Sequence, residues 1–158
     1  MCFEYIKMNF LKKKIENLDE NEIVYFDKSF VNNEEWVKCC SVYDGDTITI
    51  IKNVSDTFFK FKCRLIGIDT PELRTKDLVE KKFGYEAKKY LENLILNKFI
   101  YLKMKEMDKY GRLLIWIFLD KDDKKSVNQM MIDENYAGEY DGGKKKSYKD
   151  WKKDWDKE

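Results

Sequence analysis

Residues 41–72 read SVYDGDTITIIKNVSDTFFKFKCRLIGIDTPE, and the alternation inside this stretch decides the fold. Thr47 to Lys52 and Phe58 to Ile68 are strand-like, and Phe59, Phe61, Cys63 and Leu65 take one side of a period-two pattern. Polar residues 53–56 mark the turn between them, and Val37 to Tyr43 supplies a preceding strand. Two acidic turns bracket the paired runs: Asp44-Gly45-Asp46-Thr47 before them and Asp69-Thr70-Pro71-Glu72 after. A compact β fold brings those carboxylates together.

Outward from this meander the pattern becomes helical. Residues 73–77 lead into a helix from about Leu78 to Asn97, where Phe83, Ala87, Tyr90, Leu91, Leu94 and Ile95 form one apolar stripe. Two further strands, Phe99 to Lys105 and Arg112 to Leu119, are joined by the turn Asp108-Lys109-Tyr110-Gly111. Ser126 then caps a short helix to about Asn135 with Val127, Met130 and Met131 facing inward. Five strands with a helix after the third is the order of a five-stranded barrel of the oligonucleotide-binding kind. The expected class is α+β, mainly β, with about three helices.

Residues 1–18 space Phe3, Ile6, Phe10, Leu11 and Ile15 as a helix packed on the surface or presented to a membrane or partner, and Glu22 to Phe26 is strand-like. The tail after Gly138 holds Tyr140, a lysine run and a polar helix-like end with Trp151 and Trp155. The expected layout is an N-terminal extension over 1–35, one domain over 36–140 and a basic tail over 141–158.

Composition narrows the chemistry. The 158 residues are 43% hydrophobic and 39% charged with a net charge of +1, so a polyanionic partner must meet a local patch. There is no histidine, which excludes Ser-His, Cys-His and His-metal constellations and any histidine general base. Cys2, Cys39, Cys40 and Cys63 lack metal-ligand spacing and read as reduced thiols. No apolar run is long enough for a membrane span, and the N-terminus lacks a signal-peptide core, so the expectation is an intracellular protein, and a monomer. Of 31 Lys+Arg residues only Arg64, Arg74 and Arg112 are arginine, and all three lie in or beside the acidic stretches. Arginine differs from lysine in its planar fork, which grips phosphate or carboxylate through two bonds.

Hard divalent cations take carboxylate and carbonyl oxygens, so Asp46 and Asp69 are candidate metal ligands. Pro71, the only proline, biases Thr70 toward an extended backbone whose carbonyl is a third candidate. Glu72 is placed to act as general base toward a water beside such an ion, with Arg64 and Arg112 gripping a phosphate.

At DGDT (44–47), RLIGIDTPE (64–72) and DKYGR (108–112) the sequence resembles the staphylococcal nuclease, or thermonuclease, family. The resemblance runs from about Val37 to Ala137. It implies a Ca2+-dependent phosphodiesterase that cleaves DNA and RNA, single-stranded or locally opened, and leaves 3′-phosphate ends. By position it makes Asp46, Asp69 and the Thr70 carbonyl calcium ligands, Glu72 the general base, and Arg64 and Arg112 the phosphate-binding arginines. Lys109 and Tyr110 would border the nucleotide groove. The family's tyrosine-bearing pocket segment aligns poorly, so Tyr140 or Tyr148 is the expected substitute. The alternative is an SNase-like module that binds nucleic acid with weak or no catalysis.

Overall fold

The structure, a computed structural model, describes residues 34–54, 57–143 and 147–155, with Thr57 and residues 152–155 described by backbone alone. The helix expected over 1–18 and the strand over 22–26 lie outside the described residues. The elements are β1 (Glu34–Val42), β2 (Thr47–Val54), β3 (Thr57–Leu65), β4 (Ile68–Asp69), α1 (Leu78–Ile95), β5 (Phe99–Met107), β6 (Leu113–Phe118), α2 (Val127–Asp133), β7 (Gly138–Glu139) and α3 (Tyr148–Trp155).

Period-two alternation gives each of the long strands one apolar side, and closure of the sheet turns those sides inward. Ile48 and Ile50, Cys63 and Leu65, Ile100 and Leu102, and Ile115 and Ile117 are buried from their respective strands. The barrel closes in the order β1-β2-β3-β6-β5, and its five strands agree with the five-stranded barrel expected from the sequence. Its only parallel seam joins β3 to β6, with Arg64 opposite Leu114. That seam sets the end of β3 beside the start of β6 at Leu113, the residue after Arg112. Burial pushes the Cys39 thiol up to about 12, so it packs as a small neutral core residue.

Helix α1 covers the barrel with Ala87, Leu91 and Ile95, and burial of the Leu91 and Ile95 side chains is worth about 1.5–3 kcal/mol each. It begins at Asp77, whose carboxylate accepts from the Val79 and Glu80 amides at 3.0 and 3.2 Å. Asn97 takes φ +61°, a left-handed conformation that cannot extend the helix, so α1 stops at Ile95 rather than at Asn97. Asn135, at φ +58°, likewise follows the end of α2 at Asp133.

The run expected as one strand over Phe58–Ile68 is broken. Gly67, at φ +80°, turns the chain after β3, and Ile68 and Asp69 leave the barrel as β4 to pair with Glu139 and Gly138 of β7. Two-residue strands are too short for an alternation to reveal. Among the described residues no helix is long and apolar enough to cross a membrane.

Asn128 of α2 locks this corner. Its side chain accepts from the Ile117 amide at 3.1 Å and donates to the Ile66 and Ile115 carbonyls at 2.8 and 3.1 Å, and the residue is buried. Asn128→Ala strands the Ile117 amide and the Ile66 carbonyl, while the Ile115 carbonyl keeps the Ile66 amide at 2.9 Å, and is expected to cost about 2–3 kcal/mol, read as a lower urea midpoint at unchanged m-value.

Candidate active site

Four short segments make the site. The first is the β1–β2 turn, closed by the Tyr43 amide donating to the Thr47 carbonyl at 2.8 Å and the Asp46 amide donating to the Asp44 carboxylate at 3.2 Å. A Cβ on Gly45 would lie 2.8–2.9 Å from the Thr70 side chain, so glycine is what lets this turn close upon the second segment. There the Thr70 hydroxyl donates to Asp46 Oδ2 at 3.2 Å, while the Thr47 hydroxyl donates to Oδ1 at 2.9 Å. The structure thus ties Thr70 to Asp46 through its hydroxyl.

Asp46 and Asp69 are only 6% and 3% exposed, and one arginine sits between them. Arg64 Nη1 meets Asp46 Oδ2 at 2.7 Å and its Nη2 meets Asp69 Oδ1 at 3.0 Å. Burial drives the Asp46 carboxyl well above the usual carboxylate range; Arg64 opposes this, and Asp44 and Asp69 reinforce it. Two buried carboxylates thus share one guanidinium.

The third segment, Pro71–Glu72, is braced by α1. The Glu72 amide donates to Glu80 at 3.4 Å, and a Cβ on Gly84 would lie 2.8 Å from the Pro71 carbonyl oxygen. Helix and segment thus touch backbone to backbone, with the Glu72 side chain exposed beyond the contact. The fourth is the β5–β6 turn. Asp108 accepts from the Tyr110 and Arg112 amides at 2.8 and 2.9 Å and from Arg112 Nε at 2.7 Å, which aims Arg112 and leaves its terminal nitrogens without a partner among the described residues. The Tyr110 ring, 72% exposed, has Lys109 Nζ and Arg112 Cζ at 5.1 and 5.6 Å from its centroid.

Of the nine residues singled out from sequence, Asp46, Arg64, Thr70, Glu72, Lys109, Tyr110, Arg112 and Tyr140 line one cleft of about 510 Å³. Asp69 meets the others through Arg64. Tyr140 enters from β7, its amide bonded to the Gly67 carbonyl at 2.9 Å and its hydroxyl to the Gly143 carbonyl at 3.2 Å. Tyr148 goes elsewhere: it is buried in α3 with its ring 5.1 Å from that of Phe83.

Sequence reasoning missed two supports. Asp108, read only as a turn residue, is the anchor of Arg112, and its i,i+4 spacing was the available signal. Trp151, read as part of a polar tail, is buried, and a Cβ on Gly138 would lie 2.3 Å from its Nε1. Since Gly138 pairs with Asp69, that indole presses on the strand pair holding a site carboxylate. Nothing in the local pattern of the tail announced this long-range contact.

Gly84 offers a test of the bracing. Alanine favours a helix interior over glycine by about 1 kcal/mol, yet the clash with Pro71 is expected to reverse that sign. Gly84→Ala should lower the melting temperature, and a Tm at or above wild type would show that α1 does not press on the segment.

The family model described as "Staphylococcal nuclease homologue" matches residues 62–157. An uncharacterised protein of Methanocaldococcus jannaschii is 30% identical over 135 residues, 71% of this chain and 63% of that protein. A thermonuclease of Staphylococcus hyicus is 33% identical over 92 residues, covering 57% of this chain and 52% of the relative. Endonuclease YncB of Bacillus subtilis is 32% identical over 97 residues, 60% and 43% of the two chains. The chain thus spans less than two thirds of the length of each of these relatives.

Proposed function

We infer that this chain, which belongs to the staphylococcal nuclease family, is a calcium-dependent nuclease that hydrolyses phosphodiester bonds of DNA and RNA. The observation that carries this reading is the placing of Arg64 between two buried carboxylates in a cleft that Arg112 and Glu72 also line. Thermonuclease and endonuclease are the names of relatives on the same stretch of chain, which supports the reaction class.

The donor set fits calcium. Asp46 and Asp69 present oxygens to adjacent nitrogens of one guanidinium, so both are within reach of a single small cation. Both carboxylates are buried and share one cation, which suits a divalent ion as further counter-charge, and hard oxygen donors select calcium or magnesium over softer metals. Among the described residues no cluster of three or more His, Cys, Asp or Glu side chains forms a metal cage. Asp46, Asp69 and the Thr70 carbonyl would hold the ion, leaving the rest of its shell to water and substrate. When bound, calcium supplies positive charge opposite the phosphate oxygens.

Glu72 receives a proton from the attacking water, whose oxygen forms the new bond to phosphorus. The bond from phosphorus to the 5′ oxygen breaks, that oxygen takes up a proton, and the products carry a 3′-phosphate and a 5′-hydroxyl. Arg112, with its Nε fixed by Asp108, offers its terminal nitrogens to the phosphate as charge builds. Both terminal nitrogens of Arg64 already have a carboxylate, so this fork meets a phosphate only by exchanging one of those bonds. Lys109, Tyr110 and Tyr140 wall the cleft where a nucleotide would lie.

On a labelled oligonucleotide, Glu72→Gln is expected to lower kcat by about 10²–10⁴ and Arg112→Lys by about 10²–10³. Both side chains reach solvent and neither belongs to the core, so Tm should stay close to that of the parent chain. Full turnover in Glu72→Gln would remove Glu72 from the role of base.

A further inference from the structure

Alternation carries the site beyond the cleft. Cys63 and Leu65 of β3 face into the barrel, so Phe58, Lys60, Lys62 and Arg64 face outward in a line, each about 6.8 Å from the next. Cross-strand partners share a face, and on β2 these four stand opposite Asn53, Ile51, Thr49 and Thr47. The outward positions of both strands contain no carboxylate. Lys38 of β1, opposite Ile51, adds another positive charge to the same face.

This face differs from the stretches where lysines are paired. The chain carries 30 Asp+Glu against 31 Lys+Arg, and Lys88, Lys103 and Lys125 each have a carboxylate within 4 Å. Lys60 and Lys62 are exposed and have no ion-pair partner among the described residues. Phe58, at 72% exposed, closes the line at its far end with a flat apolar ring in water. The near end is Arg64, which lines the cleft. A row of cations ending in an aromatic ring is what a single-stranded nucleic acid meets on a protein: charge for successive phosphates and a platform for a base.

We propose that the outward face of β3, with Lys60, Lys62 and Phe58 aligned on Arg64, is a track that holds a single strand of DNA or RNA running from the cleft. This rests on the nuclease reading for its substrate class, and it adds binding residues that lie outside the cleft. Lys60 and Lys62 bind phosphates flanking the one to be cut, and Phe58 stacks on a base farther along.

The probe is a fluorescein-labelled oligothymidylate of about 16 nucleotides, and its fluorescence anisotropy is titrated with the full chain in a calcium chelator at 50 and 200 mM salt. Lys60→Glu/Lys62→Glu is expected to weaken binding at least about tenfold and to reduce the slope of log K against log salt by about 1.4. The milder Lys60→Gln/Lys62→Gln should show the same loss of slope, which guards against a folding defect of the charge reversal. Lys82→Glu/Lys89→Glu on α1 makes the same change in net charge and should bind as wild type. Equal affinity and slope in wild type and both β3 variants overturn the track, and so does an equal loss in the α1 control. Cleavage is scored separately with calcium. A chain that binds through Lys60 and Lys62 but cuts nothing keeps the track and loses the nuclease reading, whereas a chain that cuts but binds independently of them loses the track alone.

Discussion

Two ionised carboxylates are not buried side by side without a counter-charge, and in this molecule the arginine fork of Arg64 supplies it. Its two bonds to Asp46 and Asp69, 2.7 and 3.0 Å long, join the β1–β2 turn to β4 through the last turn of β3. Removing one partner of such a buried pair leaves the other uncompensated, at a cost of about 3–5 kcal/mol. Arg64, Asp46 and Asp69 are therefore also structural, and this part of the site is held by the charges it would use. Burial raises the Asp46 carboxyl above the usual carboxylate range, and Arg64 opposes that rise.

Around this pair the barrel acts as a jig. The parallel seam between β3 and β6 sets residues 64 and 112 at one end of the barrel although 48 positions separate them in the chain. Asp108 aims Arg112 from within its own turn, and α1 fixes Pro71 and Glu72 by pressing Gly84 on the Pro71 carbonyl. Arg112 and the backbone of Glu72 are thus held by neighbours outside the set singled out from sequence. The face of β3 that leads away from the cleft is different: its lysines have no such anchors among the described residues, which suits groups that meet a mobile polyanion rather than a reacting atom.

Much of this was legible in the sequence because it depends on local rules. Alternation in Phe59, Phe61, Cys63 and Leu65 located a strand, the stripe through Ala87 and Leu91 located a helix, and their order pointed to the barrel. Scarcity drew attention to Arg64 and Arg112, and the absence of histidine left carboxylates, tyrosine, lysine or a metal ion to do the chemistry. What escaped depended on contacts far apart in the chain. The β4–β7 pair is too short for periodicity, and the burial of Trp151 against Gly138 follows from where α3 lands. The fork of Arg64, expected to face a phosphate, is engaged by both carboxylates, a geometry that depends on the closed barrel.

The most direct measurement is incubation of the purified chain with end-labelled DNA and RNA, with calcium supplied or chelated. The expected result is cleavage of both polymers to 3′-phosphate ends in calcium and none in the chelator. Cleavage that continues undiminished in the chelator, or tight binding without cleavage in millimolar calcium, would contradict the assignment of this site.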